Sequence, residues 1–451
     1  MEKGRVLLTL GTADIGKLLV EYTIPAIIAM VTVSLYNITD SIFIGHGVGV
    51  MALSSLAVTF PVMNLAAAFG SLISVGAATL MSLRLGQKDY VAANYILGNV
   101  YVLNLITGIL FSVTVLIFLN PILIFFGANS QMLLYARDFM IIILAGNVVT
   151  QTYIGLNTLL RSAGHPQKAM YATITTIFMN LILNPLFIFK FGWGIRGSAV
   201  ATIISQFLVL AWQVWFFSNS KSSICLKKDF CRLKKEIVKG IFVIGIAPFL
   251  LNAAACVIIV LINKNLSYYG GNFAVGAYGI VNRMAYLFVM IVFGLNQGMQ
   301  PIIGYNYGAA LYGRVTEVLK KTIIIAVATM TFGSAFAELF PHSMASIFTD
   351  EKNLIDMTAT GLRYAFMFFP FIGFQMVVST FFQSIGKAQK TIFISLTRHV
   401  IFLIPLLIIL PKYMNISGVW ISISISDLAS SIVAACLFTT QYRKLQSKKK
   451  G

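Results

Sequence analysis

The chain has 451 residues, of which 58% are hydrophobic and only 10% charged, with a mean hydropathy of +0.86. That balance excludes an ordinary soluble domain, where apolar and charged residues are more evenly mixed. A net charge of +19 would suit nucleic acid in a soluble protein, but in so apolar a chain it is read first against a membrane.

Apolar runs of about 20 residues, each long enough to cross a hydrocarbon core about 30 Å thick, recur from end to end. Twelve are predicted as transmembrane helices, at 17–44, 50–79, 94–119, 133–158, 168–190, 198–218, 237–263, 273–299, 316–340, 357–383, 389–410 and 416–440. Lys and Arg crowd alternate connections: Lys3, Arg5 and Lys17; Arg84 and Lys88; Arg161 and Lys168; the segment KSSICLKKDFCRLKKEIVKG at 221–240; Arg314, Lys320 and Lys321; Lys387 and Lys390; and the tail from Arg443 to Lys450. The intervening loops, GHGVGV at 45–50 and the acidic TDEKNLID at 349–356, are poor in cations. Cations mark the cytoplasmic side, so both termini and the middle loop are expected inside a plasma (inner) membrane. This alternation explains the charge with no nucleic-acid partner, although the tail could also touch anionic lipid. The first run is too long for a signal-peptide core and has no small-residue cleavage site behind it, so no cleaved leader is expected. Cys225 and Cys231 fall in the cytoplasmic loop without a nearby histidine to complete a zinc site, and Cys256 and Cys436 read as small apolar fillers.

Polar residues inside apolar runs are functional candidates by default. In the first run Thr32, Tyr36 and Asp40 fall at i, i+4 and i+8, one stripe of a helix with Asn37 beside it, and Pro25 marks a hinge. The carboxylate either caps a helix end toward outer water or titrates within a cavity. In the fifth run, MYATITTIFMNLILNPLFIFKF, Asn180 and Asn184 form a second stripe, and Pro185 removes the backbone donor that the Leu181 carbonyl would otherwise receive. Such amides either glue helices together or, with a freed carbonyl and a facing carboxylate, make a cation site or a bending point. The sixth run adds Gln206 one turn from Thr202. The seventh offers only Asn252; the eighth carries Arg283, Gln297 and Gln300, and the tenth Gln375 and Gln383. Arg398 and His399 sit deep in the eleventh run, the arginine either a hydrogen-bonding hub or a functional group and the lone histidine more often structural. Arg137 and Arg363 start equivalent helices and are expected to be structural. Glu21 is expected to pair with a loop cation, and Glu338 and Asp427 are read as lying near helix ends with little signal.

The chain repeats itself across the basic segment. RSAGHPQK at 161–168 recurs as QSIGKAQK at 383–390, placing Gly164 and Gly386 222 residues apart; Arg137 and Arg363 stand 226 apart, Gly197 and Gly418 221, and Leu85 and Ile303 218. A near-constant offset predicts an all-α protein of two pseudo-symmetric six-helix lobes, 1–220 and 237–451, joined by a basic cytoplasmic linker at 221–236. Equal orientation makes this a parallel repeat, with its two-fold axis along the membrane normal.

QPIIGYNYGA at 300–309, RSAGHPQK, and the first run with Pro25 and Asp40 together resemble the MATE family, the multidrug and toxic compound extrusion transporters of the MOP flippase superfamily, over essentially the whole chain. The resemblance implies a V-shaped pair of six-helix bundles that exports cationic, amphipathic compounds against an inward H⁺ or Na⁺ gradient, by alternating access and as a monomer among membrane lipids. In one branch of that family the fifth helix carries Asn and then Asp; this sequence matches at Asn180 and departs at Asn184, leaving Asp40 as the only acid there. Tyr36, Asn157 and Thr202 fall where that branch has cavity-lining polar residues. The sodium-coupled branch has carboxylates in its seventh and tenth helices, absent here, so H⁺ is expected ahead of Na⁺, with Na⁺ at Asp40 the alternative. Asp40, Asn180, Asn184 and Tyr36 are therefore the expected coupling residues. The cavity is expected to be lined by Asn157, Thr202, Gln206, Asn37, Arg283, Gln297, Gln300, Gln375 and Arg398, with Pro25 and Pro185 as hinges. No cofactor is expected. No GxxxxGK[ST], HExxH or GxSxG occurs, which leaves no basis for an ATPase or a hydrolase. A flippase for a lipid-linked sugar is the competing function; it calls for a cluster of cationic residues to hold pyrophosphate, toward which Arg283 and Arg398 are the available pair.

Overall fold

The computed structural model describes residues 5–218 and 224–450. Lys3 and Lys221 lie outside the described residues, as do the side chains of Arg5, Asn37, Cys256, Lys449 and Lys450. No strand occurs among the described residues. Inside a bilayer the backbone finds no water to bond, so each crossing must satisfy itself as a helix.

A short α1 (Arg5–Thr12) precedes α2 (Ile15–Gly47), α3 (Val50–Gly86) and α4 (Tyr90–Ile117). Then come α5 (Leu119–Phe125), α6 (Ser130–Ala145), α7 (Asn147–Ser162), α8 (Pro166–Pro185) and α9 (Gly194–Ser218). Beyond the linker lie α10 (Lys235–Gly308), α11 (Tyr312–Leu339), α12 (Pro341–Ser346), α13 (Lys352–Phe366), α14 (Phe369–Ser384), α15 (Ala388–Leu396) and α16 (Ile404–Lys450). Polar caps open α4 and α6: Asp89 accepts from the N–H of Ala92, and Asn129 from those of Gln131 and Met132.

Nine helices among the described residues are long and apolar enough to cross a membrane, and two bent pairs, α6 with α7 (53°) and α13 with α14 (48°), bring the number to eleven. The twelfth is hidden inside the stretch Ala388–Lys448, which Asn415 breaks at φ 51° and ψ −130° into two spans. α10 breaks in the same way at Gly271, where φ is 64° and ψ −160°, a conformation that a side chain would strain.

By packing, the chain forms two compact units. One comprises the residues up to Ala13 together with Ile28–Asn252; the other comprises Asp14–Ile27 and the residues from Ala253 onward. Within the first unit the start of α10 lies backbone to backbone on α3. A Cβ on Gly76 would stand 2.1 Å from the carbonyl oxygen of Ile241, and one on Gly245 1.7 Å from that of Leu72. In the second unit Gly294 and Gly298 play the same part, since Cβ atoms there would lie 2.6 Å from the Cα atoms of Ile27 and Thr23. Small residues at crossings are how membrane helices, which gain little hydrophobic free energy from association, come close enough for dispersion contacts.

The linker is docked on α4 of the first unit. The N–H of Cys225 donates to Asn94 Oδ1 at 2.7 Å, Asn99 Nδ2 donates to the carbonyl of Arg232 at 3.0 Å, and the N–H of Lys234 donates to Asn99 Oδ1 at 3.0 Å. Gly98 leaves room for the Phe230 carbonyl, which a Cβ would approach to 2.2 Å. Above it Phe230 packs edge-on against Tyr95 at 5.0 Å, and Lys234 Nζ sits 3.4 Å from the same ring.

Candidate functional site

Three helices of the first unit bring their polar stripes together. α2 presents Tyr36 and Asp40 one turn apart, α8 presents Asn180 and Asn184, and α9 presents Ser198 and Thr202, so each helix contributes an i, i+4 pair to one seam. Asp40 Oδ1 accepts from Asn184 Nδ2 and from the Ser198 hydroxyl, the latter at 3.1 Å. One turn away, Thr202 Oγ1 accepts from Asn180 Nδ2 at 3.0 Å, stands 3.4 Å from the Tyr36 hydroxyl, and donates to the Ser198 carbonyl at 3.1 Å. Ser198 thus belongs to the site, although its sequence signal was slight: it lies one turn before Thr202 and directly after Gly197 of the repeat.

The network is polar but incompletely satisfied. Asn184 is fully buried and Asn180 is 2% exposed, yet the side-chain carbonyl oxygen of each has no hydrogen-bond partner among the described residues. Two amide carbonyls beside a carboxylate make an oxygen-rich spot able to accept a proton donor or a small cation.

Pro185 follows at once. Without an N–H it cannot complete the helical ladder, and Leu186–Lys190 wind as a π turn closed by the Phe191 N–H on the Leu186 carbonyl at 3.1 Å. Such wide turns concentrate where helices change shape. Pro25 lies buried in α2, in the segment that packs into the second unit.

Other predicted residues stand apart from this seam. Asn157 Nδ2 donates to Thr173 Oγ1 at 2.9 Å, and Gln206 accepts from Thr150, so neither is bonded to the Asp40 network. In the second unit Gln375 Nε2 donates to the Ile394 carbonyl at 3.4 Å, and Gln297 and Gln300 sit on α10 with polar contacts of their own. Arg283 is exposed and forms no ion pair among the described residues. Glu21 is likewise exposed and forms no ion pair among the described residues, contrary to expectation. Arg363 reaches Glu338 at 4.0 Å, while Arg137 makes no such pair among the described residues.

Asp427 needs the larger correction. Rather than marking a helix end, it is 1% exposed in the interior of α16 and accepts from Arg398 Nε at 2.6 Å. Its partner lies on another helix, and nothing in the run SISISDLASS announces that pairing.

Together these features define a polytopic helical membrane protein with a buried, titratable polar seam inside one helical unit. The MatE family model matches residues 25–186 and 241–409, and the chain belongs to that family, whose members are transporters rather than enzymes. It is similar to the multidrug export protein MepA of Staphylococcus haemolyticus (strain JCSC1435), with 24% identity over 422 residues that cover 94% of this chain and 93% of that protein. MepA of Staphylococcus aureus (strain NCTC 8325 / PS 47) is 25% identical over 423 residues, with the same coverage. Among solved structures, the outward-facing conformation of a multidrug resistance MATE family transporter of the MOP superfamily superposes with a TM-score of 0.91 at 24% identity, covering 99% of both chains. A MATE crystal structure in the bent conformation gives a TM-score of 0.92 at 24% identity over the whole of both chains.

Proposed function

We propose that the protein is a secondary active multidrug exporter, expelling cationic amphipathic compounds by antiport with H⁺, ahead of Na⁺, through alternating access in the plasma (inner) membrane with both termini cytoplasmic. The observation that carries this reading is Asp40, the one carboxylate in a seam that ties α2, α8 and α9 together. Ionised, it holds the Asn184 amide and the Ser198 hydroxyl. Protonated from outside, it gives up the charge that makes those bonds strong. α8 is then free to bend at the Pro185 π turn and narrow the cavity around a cationic substrate, and loss of the proton to the cytoplasm restores the bonds. The multidrug export named for the staphylococcal relatives supports the export part of this reading.

The test is efflux of a cationic dye from vesicles energised separately by a pH gradient and by a sodium gradient. Asp40→Asn keeps the shape of the side chain and is expected to abolish coupled efflux while the protein remains folded in the membrane. Efflux by this variant at the parent rate under a pH gradient would place coupling elsewhere, and efflux driven by sodium alone would reverse the choice of ion.

A further inference from the structure

The linker and α4 together form a surface that the Asp40 cycle does not use. Along α4, Tyr95, Asn99, Val102, Ile106, Ile109 and Val113 follow at alternating steps of four and three, so they share one face of the helix. The linker covers the start of that face: Phe230 packs on Tyr95, and Asn99 holds the backbone of Arg232 and Lys234. Farther along the face is bare, with Ile106, Ile109 and Val113 exposed and Leu110 beside them 65% exposed. On a helix that crosses a bilayer, acyl chains cover an aliphatic surface of this kind.

The depth agrees. Residues 106–113 lie roughly 10–21 Å along the helix from Asn99, and half of a bilayer with its headgroups is about 20–22 Å thick. The linker therefore sits at headgroup level on the same face whose lower part meets the chains.

Its charge there is unbalanced. Lys227, Lys228, Arg232, Lys234, Lys235 and Lys239 are all exposed, and the only acids among them are Asp229 and Glu236. None of these side chains forms an ion pair among the described residues. Leu233, 46% exposed between Arg232 and Lys234, adds an apolar contact. The backbone that carries these groups is already fixed. It is bonded to Asn94 and Asn99, and Ile224 and Cys225 are buried beneath it. A ligand that binds here has no loop to order first.

We infer that α4 and the linker form a binding site for an anionic phospholipid of the leaflet on the linker's side, which is the cytoplasmic leaflet in the topology proposed above. The phosphate is held by Arg232 and Lys235, with Lys227 and Lys228 adding charge, and an acyl chain lies along Ile106, Ile109 and Val113. Phosphatidylcholine brings a cation of its own and is disfavoured. The site needs neither Asp40 nor the exported compound.

The probes are phosphatidylglycerol and phosphatidylcholine with identical acyl chains, titrated against the purified protein in neutral detergent and counted as bound lipids by native mass spectrometry. The parent is expected to retain phosphatidylglycerol at concentrations where phosphatidylcholine is lost. Lys227→Gln, Lys228→Gln, Arg232→Gln and Lys235→Gln combined should weaken that binding roughly tenfold or more. Removing four charges from the tail instead (Arg443, Lys444, Lys448 and Lys449, each to Gln) should leave it unchanged. Lys227→Arg, Lys228→Arg and Lys235→Arg combined keep the charge and should bind like the parent, which separates lost charge from lost fold. A diazirine on the acyl chain reports position: phosphatidylglycerol should label residues 106–113 in excess over phosphatidylcholine, and the excess should vanish in the glutamine variant of the linker. Equal retention of the two lipids by the parent, equal losses in the linker and tail variants, or labelling without an excess on α4 would overturn the site. Displacement by glycerol phosphate, which has the charge but no chain, would also overturn it by assigning the cations to a soluble anion. Because binding is read in detergent, it stands or falls separately from the proposed topology.

Discussion

Gly245→Ala is the sharpest structural test of the first unit. The added Cβ would stand 1.7 Å from the Leu72 carbonyl oxygen, and the neighbouring atoms it meets are backbone rather than the flexible end of a side chain. Atoms of this kind rest about 3.5 Å apart or more, so α3 and the start of α10 must part by roughly 1.5–2 Å. Dispersion contact along the whole crossing weakens over that distance, and overpacked crossings of this kind cost about 1–3 kcal/mol. Gly279 in the second unit supplies a control of opposite sign. A Cβ there meets nothing within 4 Å, and replacing a mid-helix glycine by alanine gains about 0.5–1 kcal/mol. Thermal unfolding of the purified protein, read by tryptophan fluorescence in detergent, should place Gly245→Ala several degrees below the parent and Gly279→Ala at or slightly above it. Equal midpoints for the two variants would refute the close crossing.

Asn99→Ala removes two of the bonds that hold the linker, the acceptor for the Lys234 N–H and the donor to the Arg232 carbonyl; at about 0.5–1.5 kcal/mol for each bond lost, trypsin should cut at Lys227, Lys228 and Arg232 faster than in the parent, and unchanged cleavage would show that these bonds do not hold the linker. Burial first, and then Lys168, holds His165 in the turn before α8 down to about 4 against an ordinary 6.5. The folded state thus resists a proton that the unfolded chain accepts, so this contribution to stability is intact above pH 6.5 and is lost as the pH falls toward 4; His165→Gln should flatten that acid-side decline, and an unchanged profile would assign it to other groups. Single cysteines at Asp350 and Lys448 should react with an impermeant reagent from opposite faces of the membrane, and labelling from the same face would overturn the topology.

How much could be read beforehand depended on the range of the signal. Helix existence was legible because about twenty apolar residues in a row leave the backbone no alternative in lipid. The Asp40 seam was legible in part, since Tyr36 with Asp40 and Asn180 with Asn184 are each local i, i+4 patterns. Ser198 was missed because a single serine in a membrane helix ordinarily bonds back to its own helix, as Thr23 and Thr32 do here. The Arg398–Asp427 pair joins residues on two different helices, so position within a run could not reveal that Asp427 is interior. The bends in α6–α7 and α13–α14 leave hydropathy unchanged and were invisible to it. The anchors of the linker, Asn94 and Asn99, carry no local signal, because their partners Cys225, Arg232 and Lys234 lie far along the chain.

The composition of the two units has a consequence for how the protein is made. Asp14–Ile27 leaves the ribosome early, yet the glycines that receive it, Gly294 and Gly298, belong to α10. At about 5–20 residues per second the wait is on the order of tens of seconds. Through that interval the opening half of α2 crosses the membrane with only lipid or the insertion machinery to cover the Thr23 and Ile27 face. Pro25, between them on the opposite side of the helix, disfavours a rigid straight helix meanwhile. The first unit is also incomplete until Asn252 has been added, beyond the linker. Synthesis therefore closes the second unit by returning to the beginning of the chain, and a gene cut at the linker would give two products each lacking a segment held by the other.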